Sequence, residues 1–179
     1  GYDINQLISG FTREKRFGYE EIAYLLLFGK LPNQEEYAAF RQLLSDNMSL
    51  PAGFTEDMIL KAPSSNIMNK LARSALVLYS YDDNPDATDL TNMVRQSIQL
   101  IAQFPLIVAH AYAAKVHYYD GGSLILHWPI SNFSIAENFL HSIRPDSKFT
   151  EEEARLLDLC LVLHAEHGGG NNPAFPCRV

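Results

Sequence analysis

Apolar residues recur at helical spacing along most of the chain, and short polar side chains mark where several of these stretches begin. In three places an oxygen-bearing side chain is followed three positions later by a glutamate, at Asn33 and Glu36, Ser134 and Glu137, and Thr150 and Glu153. In such a capping box the first side chain accepts the N3 amide proton, while the glutamate reaches back to the cap. Each pair therefore predicts the start of a helix.

Glycine and proline mark the ends of the apolar stretches. Gly29 is followed by Lys30 and Pro32, and a glycine run occupies 168–170. Pro105 is expected to kink or split the longest stretch, and residues 118–133 are expected to form a loop, with 123–128 as a candidate extended segment. The predicted helices span 18–29, 34–46, 55–61, 66–81, 88–117, 134–143 and 151–167. We therefore expect an all-α fold class, with residues 1–179 forming a single helical domain.

Two of the predicted helices have almost no polar face. Residues 22–28 and 156–163 are apolar nearly all round, which is typical of helices buried on every side. Cys160 lies in the second of these runs and is expected to be a small core residue. Several such helices in so short a chain indicate surface intended for a partner subunit, or for sequence beyond this chain.

Composition and charge exclude some classes of function and favour a globular domain. The 179 residues are 47% hydrophobic and 20% charged, as in a globular domain, and the net charge of −7 argues against nucleic-acid binding. The longest apolar run, around 104–116, is too short and interrupted to predict a membrane span. Two cysteines make no disulfide framework. With no signal peptide predicted, we expect a reducing, cytoplasmic setting.

The chemistry-bearing stretch is His164-Ala-Glu-His167-Gly-Gly-Gly-Asn171. Residues three apart share a helix face, so His164 and His167 are expected to project the same way. At the C-terminal end of a helix the dipole favours an imidazolium at His167. A charged imidazole beside small glycines, with an amide from Asn171, is suited to hold a small carboxylate.

Three other interpretations of this stretch remain open. The histidines could simply satisfy the last carbonyls of the helix. A metal site would need a third ligand, which is not obvious, so no metal is expected. The stretch also contains the His-Gly-Gly-Gly motif of a lipase oxyanion loop. The chain lacks the G-x-S-x-G elbow that accompanies that loop.

Taken along the whole chain, the sequence resembles the citrate synthase family. Residues 163–167 are similar to its L-H-A/S-D/E-H motif, and residues 17–32 to F-E-E-V-A-Y-L-L-x-x-G-x-L-P. Residues 1–4 match R-G-Y-D/P-I in part, 67–71 stand where the H-P-M helix begins, and 136–140 match A-x-N-F-L. These similarities occur in the family's order.

The resemblance implies a substrate-binding role for the stretch. In the family the second motif histidine, here His167, hydrogen-bonds oxaloacetate or citrate, Asn171 lies in the same pocket, and His164 supports it. The catalytic groups belong to P-L-H-G and G-Y/F-G-H motifs and a later aspartate. Neither motif occurs in this chain, so no catalytic residue is expected within it. Acetyl-CoA is implied as a substrate, and no cofactor is expected.

The resemblance also implies an architecture. It identifies the chain with an internal part of the large helical domain, without the small domain that closes over CoA, and implies a homodimer. Segments 66–81 and 88–117 correspond to the family's dimer helices, although their apolar faces fit an ordinary core equally well. Those faces comprise Ile67, Leu71, Leu78, Met93, Ile98 and Ile101.

Some residues depart from the family pattern. The chain has Glu166-His167-Gly168 where the family usually has Asp-His-Glu, and Pro173 replaces a Ser or Thr. The expected activity is nevertheless condensation of acetyl-CoA with oxaloacetate by the parent enzyme, with this segment inactive alone. The competing hypotheses are a 2-methylcitrate synthase, which uses propionyl-CoA, and a non-catalytic helical dimerisation module.

Overall fold

The computed structural model describes residues 1–166. Seven α-helices make up most of it: α1 (Ile4–Glu14), α2 (Tyr19–Phe28), α3 (Gln34–Asp46), α4 (Ile67–Leu78), α5 (Leu90–Tyr119), α6 (Ile135–Ile143) and α7 (Glu151–His164). A π-helix (Thr55–Leu60) precedes α4, and a short 3-10 turn (Tyr79–Tyr81) follows it. No strand occurs within residues 1–166, so the candidate extended segment 123–128 is irregular and the all-α prediction is confirmed.

The predicted capping boxes are all present. Side chains Asn33, Ser134 and Thr150 accept the N3 amides of α3, α6 and α7, and in each box the N3 glutamate returns to the cap. Gly29 ends α2 with φ 74°, in the left-handed region that a glycine adopts without strain. These short-range signals therefore place most helix boundaries within one or two residues.

Helix α1 was not among the predicted helices. Asp3 caps it by accepting the amides of Asn5 and Gln6, and Lys15 ends it with φ 51°. Its one buried side chain is Phe11, which forms a hydrophobic cluster with Ile22 and Val162. The helix therefore depends on packing against residues far along the chain, which a local pattern does not reveal.

The central element is α5, which packs against α3, α4, α6 and the π-helix. It runs unbroken through Pro105, so of the two effects expected of this proline, a kink or a split, the split does not occur. Its residues belong to two hydrophobic clusters, one including Ile98 and Ala102, the other Ile107 and Ala111. By length and composition α5 could also cross a membrane, but half of its most apolar stretch is buried in the protein, as in a core helix.

The predictions for the two most apolar helices need correction. In α7 the buried side chains are Ala154, Asp158 and Val162, which repeat every four residues and define one buried stripe. Leu156 is 64% exposed, and Cys160 is exposed as well, so the prediction of a core cysteine is wrong. In α2 the last turn likewise exposes apolar side chains. Within the described residues neither helix is buried on every side.

Candidate functional site

An ion pair holds the N-terminal end of α7. Arg144, just after α6, bonds both carboxylate oxygens of Glu153 at 3.0 and 2.7 Å. Glu153 also accepts the Thr150 amide at 2.8 Å within the capping box. The Arg144 guanidinium, followed by the Thr150 amide, lowers the pKa of the Glu153 carboxyl to about 2. The start of α7 is thereby fixed against the end of α6.

A buried carboxylate links the middle of α7 to α2. Asp158 accepts the Gly18 N–H at 2.7 Å and the Tyr19 N–H at 3.1 Å, at the N-terminal end of α2. Those amides have no partner within their own helix, and Asp158 supplies one from the opposite end of the sequence. Burial raises the pKa of the Asp158 carboxyl, and the two amides partly offset that rise. Asp158 is therefore a cap for a helix other than its own.

A second buried carboxylate lies at the same junction. Glu20, in the first turn of α2, is 2% exposed, and its Oε1 accepts the Ile135 N–H of α6 at 2.8 Å. Burial raises the pKa of Glu20; the Ile135 amide opposes the rise, and the nearby Asp158 carboxylate adds to it. Helices α2, α6 and α7 are thus joined by two side chains that each satisfy a helix N-terminus.

The C-terminal end of α7 carries the first predicted site residue. His164 is exposed, and its Nδ1 lies 2.7 Å from the Cys160 carbonyl oxygen. Because a carbonyl only accepts, Nδ1 carries the proton, and Nε2 is the acceptor nitrogen of the neutral ring. His164 is also the last residue of α7, whereas the prediction extended this helix to 167. His164 therefore lies in the last turn of α7.

The other two predicted site residues, His167 and Asn171, lie outside the described residues. The predicted shared direction of His164 and His167, and the predicted contact of Asn171 with a ligand, therefore stay predictions. Among residues 1–166 no group of three or more histidine, cysteine, aspartate or glutamate side chains is arranged to hold a metal ion.

A large cavity in the described part of the chain lies away from this end of the molecule. Its volume is about 510 Å³, and it lies between the end of α4, the loop that follows and the first half of α5. Arg95 in its wall is already engaged by both Asp82 oxygens at 2.6 and 2.8 Å. No residue of α7 lines it. It therefore adds nothing to the predicted pocket.

A buried histidine forms a further polar group that the sequence did not single out. His110 of α5 is 2% exposed; its Nδ1 lies 3.0 Å from the Thr55 hydroxyl, and its Nε2 lies 3.0 Å from the His127 carbonyl. The carbonyl requires a proton on Nε2, so Thr55 donates to Nδ1. Burial lowers the pKa of His110. This group ties α5 to the π-helix and to the loop before α6.

Comparison with known proteins decides the family. The family model for the citrate synthase C-terminal domain matches residues 1–179. The chain belongs to the citrate synthase family. It is 33% identical to the peroxisomal citrate synthase 1 of Arabidopsis thaliana over 93% of its own length, and 29% identical to the citrate synthase of Heyndrickxia coagulans over 100%. The resemblance inferred from the motifs is confirmed.

The chain matches only part of the length of its relatives, and it shares their fold. The chain spans 35% of the Arabidopsis relative and 44% of the Heyndrickxia one, so it corresponds to less than half of either protein. A citrate synthase structure from Pyrobaculum aerophilum superposes with a TM-score of 0.76 at 23% identity, covering 94% of this chain and 41% of that one. At that identity the likeness establishes the fold, which is the multi-helical citrate synthase fold that the motifs implied.

Sequence reasoning missed the buried polar residues of this site. The signal for Asp158 was present, because it is the one charged residue inside the apolar run 156–163. Burial of a lone aspartate requires hydrogen-bond partners, which would have marked it as a link. Glu20 gave no such signal, since an acidic residue in the first turn of a helix is ordinary.

Proposed function

We propose that this chain is part of an enzyme that condenses acetyl-CoA with oxaloacetate and water to give citrate and free CoA. The observation that carries the proposal is the family match over all 179 residues. The motif His164-Ala-Glu-His167, whose first residue ends helix α7, supports it. Within this activity His167 and Asn171 bind oxaloacetate or citrate oxygens, and His164 supports them.

The proposed chemistry divides between this chain and the remainder of the enzyme. The residues that make and break bonds in the family belong to motifs that residues 1–179 do not contain. An aspartate there would remove a methyl proton from acetyl-CoA and a histidine would polarise its carbonyl. The resulting enolate would attack the ketone of oxaloacetate. This chain on its own is therefore proposed to be inactive, with no cofactor and no metal in the reaction.

The test uses the full-length parent enzyme and measures CoA release with acetyl-CoA and oxaloacetate. His167→Ala is expected to raise the KM for oxaloacetate by at least tenfold. Gln34→Ala, an exposed residue of α3, serves as the control and should leave it unchanged. Release that needs propionyl-CoA instead would favour a 2-methylcitrate synthase. Absence of release with either thioester would contradict the proposal and favour a non-catalytic helical module.

We propose that the parent enzyme is a homodimer that uses α4 and α5. The apolar side chains suggested earlier for this role are mostly internal, since Ile67, Leu71 and Leu78 pack in the core cluster around Phe54. Of the side chains suggested earlier, Met93 is 52% exposed, and four further apolar side chains of the same two helices are at least 36% exposed: Met68, Leu76, Leu90 and Leu100. Light scattering after size exclusion should give a dimer mass, and Leu76→Asp, at 77% exposure, should shift it toward the monomer.

The proposed setting is cytoplasmic. Relatives bear names that specify other compartments, such as the peroxisomal enzyme of Arabidopsis thaliana and the glyoxysomal one of Cucurbita maxima. Localisation of the tagged full-length enzyme by fluorescence microscopy would decide between these compartments. A diffuse cytoplasmic signal is expected, and a punctate organellar signal would contradict it.

A further inference from the structure

The fully buried side chains of helix α7 form one stripe along the helix. The helix packs against α6 and α2, and its buried side chains are Ala154, Asp158 and Val162. Val162 contributes to the cluster with Phe11 and Ile22. Apolar contacts of this kind hold a helix down but are not directional, so alone they fix its rotation and axial position only loosely.

The Arg144–Glu153 pair restrains the start of α7, and Asp158 adds a second directional restraint at the middle of the helix. Each of its two carboxylate oxygens accepts one hydrogen bond: Oδ2 accepts the Gly18 N–H and Oδ1 accepts the Tyr19 N–H. A short side chain that receives two adjacent amides can do so only over a narrow range of backbone positions. The positive end of the α2 dipole further favours the carboxylate in that place. A rotation or slide of α7 would break at least one of these bonds.

The bonds of Asp158 lie close to the C-terminal end of α7, which carries His164. Asp158 and His164 share α7, and at about 1.5 Å per residue their backbones are roughly 9 Å apart along the axis. A helix segment of that length moves as a unit, so a displacement at Asp158 is passed on to His164 and to the chain that continues from it. Misplacement of a binding group by about 1 Å is enough to cost as much as 100-fold in rate.

We propose that Asp158 is a positioning residue for the oxaloacetate-binding end of α7, acting through its two bonds to the N-terminal end of α2. The proposal rests on the proposed function, because it assigns Asp158 a part in the same site. In this proposal Asp158 acts through its bonds to the Gly18 and Tyr19 amides and not by binding substrate. Its effect is to fix where α7 presents the His164 turn.

The experiment compares Asp158→Asn with Gln103→Leu in the full-length parent enzyme. Asparagine keeps the volume but offers one acceptor oxygen for two amides. Gln103 is also buried and donates to a distant backbone oxygen, that of Ser49 at 3.1 Å, but it lies on α5 and not on α2 or α7. The two variants therefore lose comparable buried hydrogen bonds at different places. Each variant is assayed at the same number of degrees below its own Tm, so that the two are compared at equal thermal stability.

Two measurements separate positioning from general stability. The KM for oxaloacetate is expected to rise at least fivefold in Asp158→Asn, with the KM for the acyl-CoA within twofold and both values unchanged in Gln103→Leu. Amide hydrogen exchange is expected to accelerate at least tenfold in 159–166 relative to 34–46 in Asp158→Asn alone. Equal kinetic changes in the two variants, or unchanged KM for oxaloacetate, would overturn the proposal.

The remaining outcomes also decide. An inactive wild-type enzyme would contradict the proposed function, and with it the claim that Asp158 positions an oxaloacetate-binding site. The exchange measurement would then still show whether Asp158 fixes α7. If Asp158→Asn does not fold, Asp158→Glu takes its place, keeping the charge but displacing it by one methylene, and the same KM split is expected. Failure of both variants to fold would assign Asp158 a purely structural role and overturn the positioning claim.

Discussion

The Glu20 carboxylate joins the first turn of α2 to the first turn of α6, because its Oε1 accepts the Ile135 N–H at 2.8 Å. Its Oε2 is buried without a hydrogen-bond partner among the described residues. A raised pKa means that the folded state holds a proton which the unfolded chain releases near the ordinary value of 4.5. The contribution of Glu20 to the free energy of unfolding should therefore fall as pH rises above 4.5 toward the raised pKa.

Glu20→Gln should remove that dependence, since the amide keeps an acceptor for Ile135 and does not ionise. Chemical denaturation between pH 2.5 and 8 is the measurement, and the stability of Glu20→Gln relative to the wild type should increase toward the upper end of this range. Glu36 provides a control of opposite sign, because Lys30 and the Asn33 amide lower its pKa. Glu36→Gln should lose stability that the wild type gains as pH rises toward 4.5. The same slope for both variants would contradict the assignment.

His110 and Thr55 form a pair whose proton positions can be tested. Thr55→Val removes the hydroxyl that donates to Nδ1 and leaves a buried acceptor unsatisfied, which costs about 1–3 kcal/mol in the free energy of unfolding. Thr55→Ser keeps the hydroxyl and loses one methyl group, worth about 0.8 kcal/mol. Denaturation at pH 7.5 should thus rank serine above valine, and the reverse order would show that the hydroxyl does not donate to His110.

The same histidine should make the protein sensitive to acid. Burial lowers the pKa of His110 below its ordinary 6.5, so the unfolded chain binds a proton before the folded protein does. Stability from this group is present above pH 6.5 and is lost as pH falls through 6.5 toward the lowered pKa. Nuclear magnetic resonance of the imidazole should report a pKa under 6.5 for His110. A value above 6.5 would remove the predicted loss on acidification.

The parts of the fold that the sequence predicts are those with local causes. Capping boxes and Gly29 act within a few residues, so helices α2, α3, α6 and α7 begin and α2 ends close to the predicted places. The π-helix Thr55–Leu60 was expected as an ordinary helix. Its wider turn is not encoded in the apolar spacing of six residues, and it coincides with contacts to α5 that lie far away in sequence.

The parts that the sequence does not predict have distant causes. Cys160 sits among apolar neighbours, yet it faces outward because the buried stripe of α7 runs through Asp158. The number of apolar residues in such a helix does not show which of its faces packs against the rest of the protein. For the site, motif resemblance identifies His164, His167 and Asn171. It gives no indication that Asp158 and Glu20 connect that helix to α2 and α6.

Two glycines of the first part of the chain should respond oppositely to alanine. A Cβ at Gly18 would lie 2.3 Å from Cδ2 of the Phe11 ring, so Gly18→Ala should destabilise by about 1–3 kcal/mol. Gly10 is inside α1 with nothing within 4 Å of an added Cβ, so Gly10→Ala should stabilise by about 0.5–1 kcal/mol. Thermal and chemical denaturation of both variants measure the pair.

A second substitution tests the cause assigned to Gly18. Phe11→Leu shortens the side chain that the new Cβ would meet. In the double variant the cost of Gly18→Ala should be smaller than in the wild-type background, giving a favourable coupling of at least about 0.5 kcal/mol. Strict additivity would mean that the alanine is harmful for another reason, such as its effect on the Gly18 N–H bond to Asp158.

Lys70 is a lysine with an unusual place in a helical core. It is 1% exposed, and its ammonium donates to the Met58 carbonyl of the π-helix and, at 2.7 Å, to the Ala62 carbonyl just after it. Burial, with a further contribution from Arg73, lowers its pKa. Lys70→Met keeps the length but leaves those carbonyls unsatisfied, so the free energy of unfolding at pH 7 should fall by about 1–3 kcal/mol.

The control for Lys70 is its exposed neighbour Lys61, which pairs with Asp57 at 2.5 Å on the surface. Lys61→Met should change stability far less, since exposed ion pairs contribute little. A pH series adds a second check. Because a lowered lysine pKa makes the folded state release its proton first, wild-type stability should gain from this group as pH rises toward 10.5. Lys70→Met should lack that gain, and an equal gain in wild type and variant would show that the ammonium at Lys70 is not desolvated.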